Sequence, residues 1–298
     1  MGLVDWLRTV WLATIWGCSF FLIEIALNGA GPFTIALTRV AFAAIGLGVY
    51  CVAIGRPVAG TKHLILPFLI LGLVHNALPF SLIALGQTWI TSSVTAILIA
   101  TTPLFTVIVA HQWARAETAT PLKVIGVLVG FAGVAVLVGK DALEGLGDNL
   151  WGQMLVLAGA LAYAVGAVYA RRFRHLPAEQ ISFGMLAAAT LLMLPLAFTL
   201  ESPLSPLPDW RVLAALAALG LICTGLAYIL YFRTLASAGA TNVMLVTFIQ
   251  PAVAIFLGVI FLGEPLGANH IAGFTLILAG LALVDGRMLR LTTKILSP

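Results

Sequence analysis

The sequence predicts an all-α polytopic membrane protein with ten transmembrane helices. Of its 298 residues, 61% are hydrophobic and only 9% are charged. A soluble domain is usually about 25% charged, so this chain has too few charges to cover a water-facing surface. Apolar runs of about twenty residues, the length of one bilayer crossing, recur along the whole chain. A mean hydropathy of +1.11 agrees with this fold class.

The ten predicted spans follow one another with short connections. They cover residues 8–27, 33–54, 64–86, 92–113, 121–139, 150–170, 180–200, 211–233, 241–262 and 268–286. The connections are too short for a separate soluble domain, so we expect no extramembrane enzyme or receptor module.

The basic residues fix the predicted orientation. With a cytoplasmic N-terminus, twelve of the 15 Lys and Arg residues fall in cytoplasmic segments, Lys140 and Arg211 fall outside, and Arg39 lies within span two. This bias places both termini in the cytoplasm. The pI of about 9.2 is therefore a topology signal, and no nucleic-acid partner is expected.

The two halves of the chain share residues at a nearly constant spacing. The matched pairs are Glu117 and Glu264, Gly126 and Gly273, Gly133 and Gly280, and Trp16 and Tyr163 at 147 residues, with Pro103 and Pro251 at 148. Five spans per half invert the second copy across the membrane. The sequence therefore predicts two inverted five-helix repeats, residues 1–140 and 141–298. Such repeats with irregular helices at matched positions are typical of secondary transporters.

Several short motifs carry a family resemblance over essentially the whole chain. They are the Trp16–Gly17 pair, Arg39 early in span two, the prolines of "TTPL" and "IQPA", and a Glu-x8-Gly pattern after spans four and nine. With these motifs the chain resembles the ten-span EamA-type branch of the drug/metabolite transporter superfamily, and within it the bacterial amino-acid exporters, including the aromatic type. The resemblance implies a multi-pass protein of the bacterial inner membrane that exports amino acids and related neutral metabolites by alternating access.

Prolines within the spans predict hinges at Pro79, Pro103 and Pro251. Proline removes a backbone hydrogen bond to the carbonyl four residues earlier. An unsatisfied carbonyl in lipid costs several kcal/mol, so the kinks in spans four and nine are expected to face an interior cavity. A packing kink, with a hydroxyl capping the carbonyl, is the alternative. The polar neighbours are predicted to bind substrate: Thr101, Thr102 and Gln250.

Span three places His75 and Asn76 near its middle. Polar groups at this depth usually face the interior of a helix bundle, so both are predicted to bind substrate. His75 could bind a carboxylate or could titrate and couple transport to protons. Alternatively, it is a neutral histidine bonded to a neighbouring carbonyl.

Three aromatic residues lie deeper than the usual interfacial anchors and are predicted to form cavity walls. They are Trp16, Tyr163 and Tyr228. Aromatic residues at span ends more often anchor the protein at the membrane interface, and the remaining tryptophans fit that role.

The charged residues near the spans are assigned structural roles. Glu24 and Arg39 are expected to form a salt bridge, and a gating role for them is the alternative. Glu117 and Glu264 are expected to cap the N-termini of helices five and ten.

No charged residue is expected at the middle of any span. This absence disfavours phosphorylated substrates, which need fixed cations, and favours a net-neutral solute such as a zwitterionic amino acid. Its carboxylate could meet His75, Asn76 or Gln250, and its ammonium the carbonyls freed by Pro103 and Pro251.

Two other functions remain as alternatives. The same fold could carry lipids, drugs or other neutral metabolites. An intramembrane enzyme would need a nucleophile–base pair or metal ligands at depth, and the sequence lacks H-E-x-x-H, G-x-S-x-G and Walker motifs. We therefore expect no catalytic residues, metal or cofactor. The expected partners are a small-molecule substrate and membrane lipids, and both monomer and homodimer remain open.

Overall fold

The computed structural model describes residues 2–55, 64–114, 120–143, 147–173, 175–203, 208–238, 243 and 245–285. Over these residues the chain is helical at each of the ten predicted spans. Spans one and two are Leu3–Leu27 and Pro32–Ala53; span three is Ile65–Gly86; span four consists of Ser92–Ile99 and Thr102–Ala114; spans five to seven are Pro121–Leu143, Gly147–Ala170 and Ala178–Leu200; span eight is Trp210–Ala238; spans nine and ten are Val246–Leu262 and Ala268–Asp285.

Length and composition confirm the predicted fold class. Within the described ranges, nine helices are long and apolar enough to cross a membrane, and the ninth predicted span is a shorter apolar helix. That helix, Val246–Leu262, begins after the predicted start at residue 241, and most of residues 239–244 lie outside the described residues.

Spans three and eight each contain a π-helical turn near the middle. The turns are Leu73–Ala77 and Leu221–Leu226, so they begin 148 residues apart. In span three the N–H of Leu78 donates to the carbonyl of Leu73, five residues earlier, and Pro79 follows at once. Such turns are often found at functional sites. These two matched irregularities were not expected from the sequence.

Spans four and nine respond differently to their prolines. Span four is interrupted at Ala100 and Thr101, just before Pro103, and the Thr102 hydroxyl donates to the Ile99 carbonyl at 2.7 Å. Span nine runs through Pro251 as one helix. The Thr102 contact satisfies the carbonyl that Pro103 releases, which agrees with the alternative of a packing kink capped by a hydroxyl.

Spans five and ten pack through facing glycines. A Cβ atom at Gly126 would lie 2.7 Å from the Gly280 carbonyl oxygen, and one at Gly133 would lie 2.7 Å from that of Gly273. These distances leave no room for a side chain, so glycine is what allows the two backbones to touch. The glycine face of span five is therefore used within the chain.

The remaining spans surround the middle of the bundle. Span one packs against spans eight and nine, span two against span seven, and span three against spans six and seven. Span two also contacts the π-helical turn of span eight. The middle of spans one, two, three, six and eight is consequently the place where polar side chains can meet.

Candidate functional site

Polar and aromatic side chains from spans three, six and eight meet in what we call the central cluster: His75, Asn76, Phe80, Tyr163 and Tyr228. The Tyr228 hydroxyl donates to Asn76 Oδ1 at 3.0 Å. The His75 ring lies 5.7 Å from the Tyr163 ring, and the Phe80 ring lies 6.2 Å from it, both edge to face. The structure thus brings together four of the predicted substrate-binding residues.

Two nitrogen atoms of the central cluster are buried without a hydrogen-bond partner. They are Asn76 Nδ2 and His75 Nδ1. Asn76 is completely buried, and its oxygen already accepts from Tyr228. A buried polar atom without a partner costs about 1–3 kcal/mol, so this arrangement favours a ligand or water at these atoms.

Trp16 extends the aromatic surface from span one. Its ring lies 5.8 Å from the Tyr231 ring, and it packs against the hydrophobic core that also contains Tyr228. Tyr231 was not predicted as a site residue, although it follows Tyr228 by three positions and therefore lies on the same helix face. That spacing is the signal that could have found it.

The predicted polar residues of spans four and nine lie differently. Thr101 is completely buried and its hydroxyl donates to the Leu98 carbonyl at 2.6 Å, while the Thr102 hydroxyl is bonded to Ile99. Gln250 is half-buried. Its backbone carbonyl oxygen lies 2.8 Å from the position that a Cβ atom at Gly17 would occupy. The two threonine hydroxyls are thus engaged within their own helix, and their substrate-binding role stays a prediction.

The expected salt bridge between Glu24 and Arg39 is wrong. Glu24 accepts a hydrogen bond from Gln87 Nε2 at 3.2 Å. Arg39 instead donates from Nε to Thr224 Oγ1 at 2.9 Å and from Nη2 to Ser19 Oγ at 3.4 Å. In span one, Ser19 is the residue that lies within hydrogen-bond distance of the Arg39 guanidinium, and Glu24 is not.

No charged residue was expected at the middle of a span, but the structure buries the charge of Arg39 inside the bundle. The Arg39 side chain is 7% exposed, and its Cζ lies 4.0 Å from the centre of the Phe80 ring. Its partner Thr224 lies in the π-helical turn near the middle of span eight. The sequence position of Arg39 is near one end of span two, but a long side chain can carry its charge several ångströms inward.

The predicted role of Glu264 as a cap of helix ten requires correction. Its carboxylate accepts hydrogen bonds from the backbone N–H groups of Ser92 and Ser93, at 2.8 and 2.9 Å, and from the Ser93 hydroxyl. Glu264 therefore caps span four and joins it to the connection between spans nine and ten. Glu117 lies outside the described residues.

Glu201 makes the same type of contact with span two. It accepts from the N–H groups of Phe33 and Thr34, at 3.0 and 2.8 Å, and from the Thr34 hydroxyl at 2.6 Å. A carboxylate is favoured at a helix N-terminus because the N–H groups there have no partner within the helix. We call the membrane face that carries Glu201 and Glu264 the Glu264 face.

A groove between spans two and seven lies away from the central cluster. Its volume is about 810 Å³, and apolar side chains such as Ile45, Val49, Phe183 and Leu191 line it. The hydroxyl of Thr190, also in its lining, donates to the Leu186 carbonyl of its own helix. The groove offers no fixed polar group for orienting a zwitterion, so the central cluster is the better candidate site.

Three further residues of this region, Phe80, Thr224 and Tyr231, were not among the predicted site residues. Two of them could have been found from the repeat, because Phe80 precedes Tyr228 by 148 residues and Asn76 precedes Thr224 by 148. The same spacing separates the two prolines of spans four and nine.

Comparison with known proteins gives one consistent answer. The model of the EamA-like transporter family matches residues 7–139 and again residues 150–285. YoaV of Bacillus subtilis, described as an uncharacterized transporter, is 23% identical over 270 residues, covering 90% of this chain and 91% of its own. YedA of Escherichia coli K12, described as an uncharacterized inner membrane transporter, is 29% identical over 260 residues, covering 86% and 82%.

A solved crystal structure shares the fold. It superposes with a TM-score of 0.70 at 20% sequence identity and covers 98% of this chain and 99% of its own. At this identity the likeness concerns the fold alone.

Proposed function

Because the chain belongs to the EamA-like transporter family of the drug/metabolite transporter superfamily, we propose that it exports amino acids, including aromatic ones, and related neutral metabolites. YoaV and YedA are both described as transporters, and YedA as one of the inner membrane; the substrate is our proposal. The proteins of this family are transporters and not enzymes.

The observation that carries the proposal is the pairing of unsatisfied polar atoms with aromatic rings in the central cluster. Asn76 Nδ2 can donate to a substrate carboxylate, and His75 Nδ1, on the preceding residue of span three, is a second buried atom without a partner. The rings of Tyr163 and Tyr228 offer apolar surface for a side chain. A wall of rings accepts side chains of many shapes, so we expect broad selectivity and weak affinity.

Alternating access between two inverted five-helix repeats is the proposed mechanism. The π-helical turns of spans three and eight, 148 residues apart, support a repeated backbone plan. The glycine contacts support a pseudo-twofold axis, because Gly126 meets Gly280 and Gly133 meets Gly273, and the spacing of 147 relates Gly126 to Gly273 and Gly133 to Gly280. Spans three, four, eight and nine would bend near their irregular turns and prolines.

The charge bias supports an orientation with both termini in the cytoplasm and the Glu264 face outside. On this face Glu264 joins span four to the end of span nine, and a Cβ at Gly258 would meet both Glu264 and Ser93. The Glu264 contact is then the natural candidate for an outer gate, which must break for substrate to leave.

The test is transport by the purified protein in proteoliposomes with a panel of labelled amino acids. We expect counterflow of several neutral amino acids, faster for those with apolar side chains. Absence of flux for every amino acid would contradict the proposal and would move the search to lipids, drugs and other neutral metabolites.

The same assay with an imposed pH gradient tests proton coupling at His75. If His75 carries the proton, accumulation follows the gradient in the wild type and is lost in His75→Ala. Cys223→Ala is the matched control, because Cys223 lies 148 residues after His75 in the corresponding turn. Uptake that ignores the gradient in all three proteins would leave a facilitative carrier.

A further inference from the structure

Within the described residues, Arg39 is a buried cation without a balancing anion: none of their carboxylates lies within 4.0 Å of its guanidinium. Its hydrogen-bond partners Thr224 and Ser19 are neutral hydroxyls, and its flat face rests on Phe80. An ionised group removed from water without a counter-charge is costly, so it requires an anion from elsewhere.

The acidic groups on neighbouring spans are already engaged. Glu24 on span one is bonded to Gln87. Glu201, at the end of span seven, accepts three hydrogen bonds from Phe33 and Thr34 at the start of span two. An arginine always stays protonated, so it cannot escape this cost by losing its charge.

The hydrogen-bond pattern places Arg39 beside the central cluster. Phe80 follows Asn76 by four residues on span three, and Tyr228 follows Thr224 by four on span eight, so the members of each pair are close neighbours along their helix. Arg39 contacts Phe80 and Thr224, while Asn76 and Tyr228 bond to each other one turn away. Arg39 therefore contacts the central cluster at Phe80, and Thr224 joins it to the helix that carries Tyr228.

Two groups with free capacity in this region, Asn76 Nδ2 and the Arg39 guanidinium, are hydrogen-bond donors. The Asn76 oxygen is occupied by Tyr228, which leaves the two N–H donors of Nδ2. A guanidinium carries five N–H donors, and the two contacts to Thr224 and Ser19 leave part of its fork available. An arginine fork matches the two oxygens of a carboxylate.

We propose that Arg39 is the carboxylate-recognition residue of this transporter and that the site takes organic monocarboxylate anions. Asn76 Nδ2 donates to the same carboxylate, and Phe80 and Tyr163 contact the apolar remainder of the substrate. This inference deepens the proposed export of amino acids and rests on it. One buried positive charge is balanced by one carboxylate, so the substrate's ammonium group is dispensable.

Three probes that share a phenyl ring test this inference: L-phenylalanine, 3-phenylpropionate, which lacks the ammonium, and phenethylamine, which lacks the carboxylate. Binding is measured by isothermal titration calorimetry on the full-length protein in detergent, and flux by proteoliposome counterflow. We expect 3-phenylpropionate to bind at least as tightly as L-phenylalanine and phenethylamine not to compete with either.

The variants Arg39→Gln and Arg39→Lys test whether this binding depends on the Arg39 guanidinium. Arg39→Gln should weaken 3-phenylpropionate binding tenfold or more, and Arg39→Lys, which keeps the charge but loses the fork, should fall between it and the wild type. Arg211→Gln is the control, because Arg211 is an exposed arginine at the start of span eight. If Arg39→Gln does not fold, the ranking of the three probes on the wild type still decides.

The outcomes separate this inference from the proposed function. L-phenylalanine flux that is equal in the wild type and Arg39→Gln, or binding of phenethylamine equal to that of 3-phenylpropionate, would overturn the carboxylate site and leave amino-acid export intact. Arg39-dependent binding of 3-phenylpropionate without flux of any amino acid would contradict amino-acid export and support the anion site. Absence of binding by all three probes would overturn the anion site.

Discussion

The two copies of the family match, residues 7–139 and 150–285, share a backbone plan but carry different side chains at its centre. Asn76 in the first copy corresponds to Thr224 in the second, and Phe80 corresponds to Tyr228. Asn76 and Tyr228 bond directly to each other, whereas Thr224 and Phe80 both contact Arg39. The shared plan sets where the cluster lies, and the unequal side chains give it one cationic end.

The copies also differ at their prolines, and two glutamates of the second copy contact the first. Span four is interrupted before Pro103, while span nine is continuous through Pro251. Glu201 and Glu264 both belong to the second copy, and both cap helices of the first. The second copy therefore holds the first at the Glu264 face, and each difference can be tested by a matched pair of variants.

The largest effect, a loss of folding stability, is expected at the glycine contacts of spans five and ten, where the two copies are alike. In Gly133→Leu the new side chain would overlap the Gly273 backbone, since even a Cβ would lie 2.7 Å from its carbonyl oxygen. Overpacking of this kind should cost at least about 3 kcal/mol and most of the folded yield, as measured by size-exclusion chromatography and thermal unfolding.

Two comparisons sharpen this test. Gly280→Leu should behave like Gly133→Leu, because the two positions correspond at a spacing of 147. Ala132→Leu, on the exposed face of the same helix, should unfold like the wild type. Normal yield of Gly133→Leu would show that this contact is not needed.

The second prediction concerns Glu264 and Glu201, which cap the N-termini of spans four and two. Glu264→Gln replaces charge-assisted hydrogen bonds, each worth about 1.5–3 kcal/mol, by neutral ones, so we expect roughly a thirtyfold shift toward separation of span four from the end of span nine. Electron paramagnetic resonance can measure this between spin labels at the exposed positions Thr88 and Ala268 after the three cysteines are replaced by alanine.

Glu201→Gln is the matched control for the gate. It weakens the same kind of cap on span two and should lower the thermal stability without lengthening the Thr88–Ala268 distance. Equal distance distributions in the wild type and Glu264→Gln would remove the gate role of Glu264.

The third prediction compares the transport rates of variants at Pro103 and Pro251. Pro103→Ala allows span four to recover its missing hydrogen bond and straighten, so we expect the maximal transport rate to fall about tenfold, a barrier change of about 1.4 kcal/mol, with less change in binding. Pro251→Ala should also slow transport more than it weakens binding, but by a smaller factor, because span nine is already continuous. Wild-type rates in both variants would contradict the hinge mechanism.

The smallest effect, on substrate affinity, is expected for the hydrogen bond from Tyr228 to Asn76, which joins the two copies. Tyr228→Phe keeps the ring and removes the donor to Asn76 Oδ1, at a cost of about 1 kcal/mol, so substrate affinity should fall roughly fivefold in a binding titration. An unchanged affinity in Tyr228→Phe would show that the orientation of Asn76 does not depend on this bond.

The sequence by itself determined the all-helical membrane fold and its ten spans, because the length and apolar character of a crossing helix are properties of a continuous stretch of chain. It also predicted that His75, Asn76, Tyr163 and Tyr228 face the bundle interior, where the structure brings them together, since polar groups at mid-span depth usually face the interior.

Only the tertiary structure decided which groups become partners. The sequence suggested pairs from neighbouring spans and equal depth, as for Glu24 and Arg39, or from the nearest helix end, as for Glu264. The packing of spans one, two and eight instead places Ser19 and Thr224 at the guanidinium, and the connection after span nine carries Glu264 to span four. Side-chain reach and helix rotation fix such contacts, and neither is encoded in hydropathy or spacing.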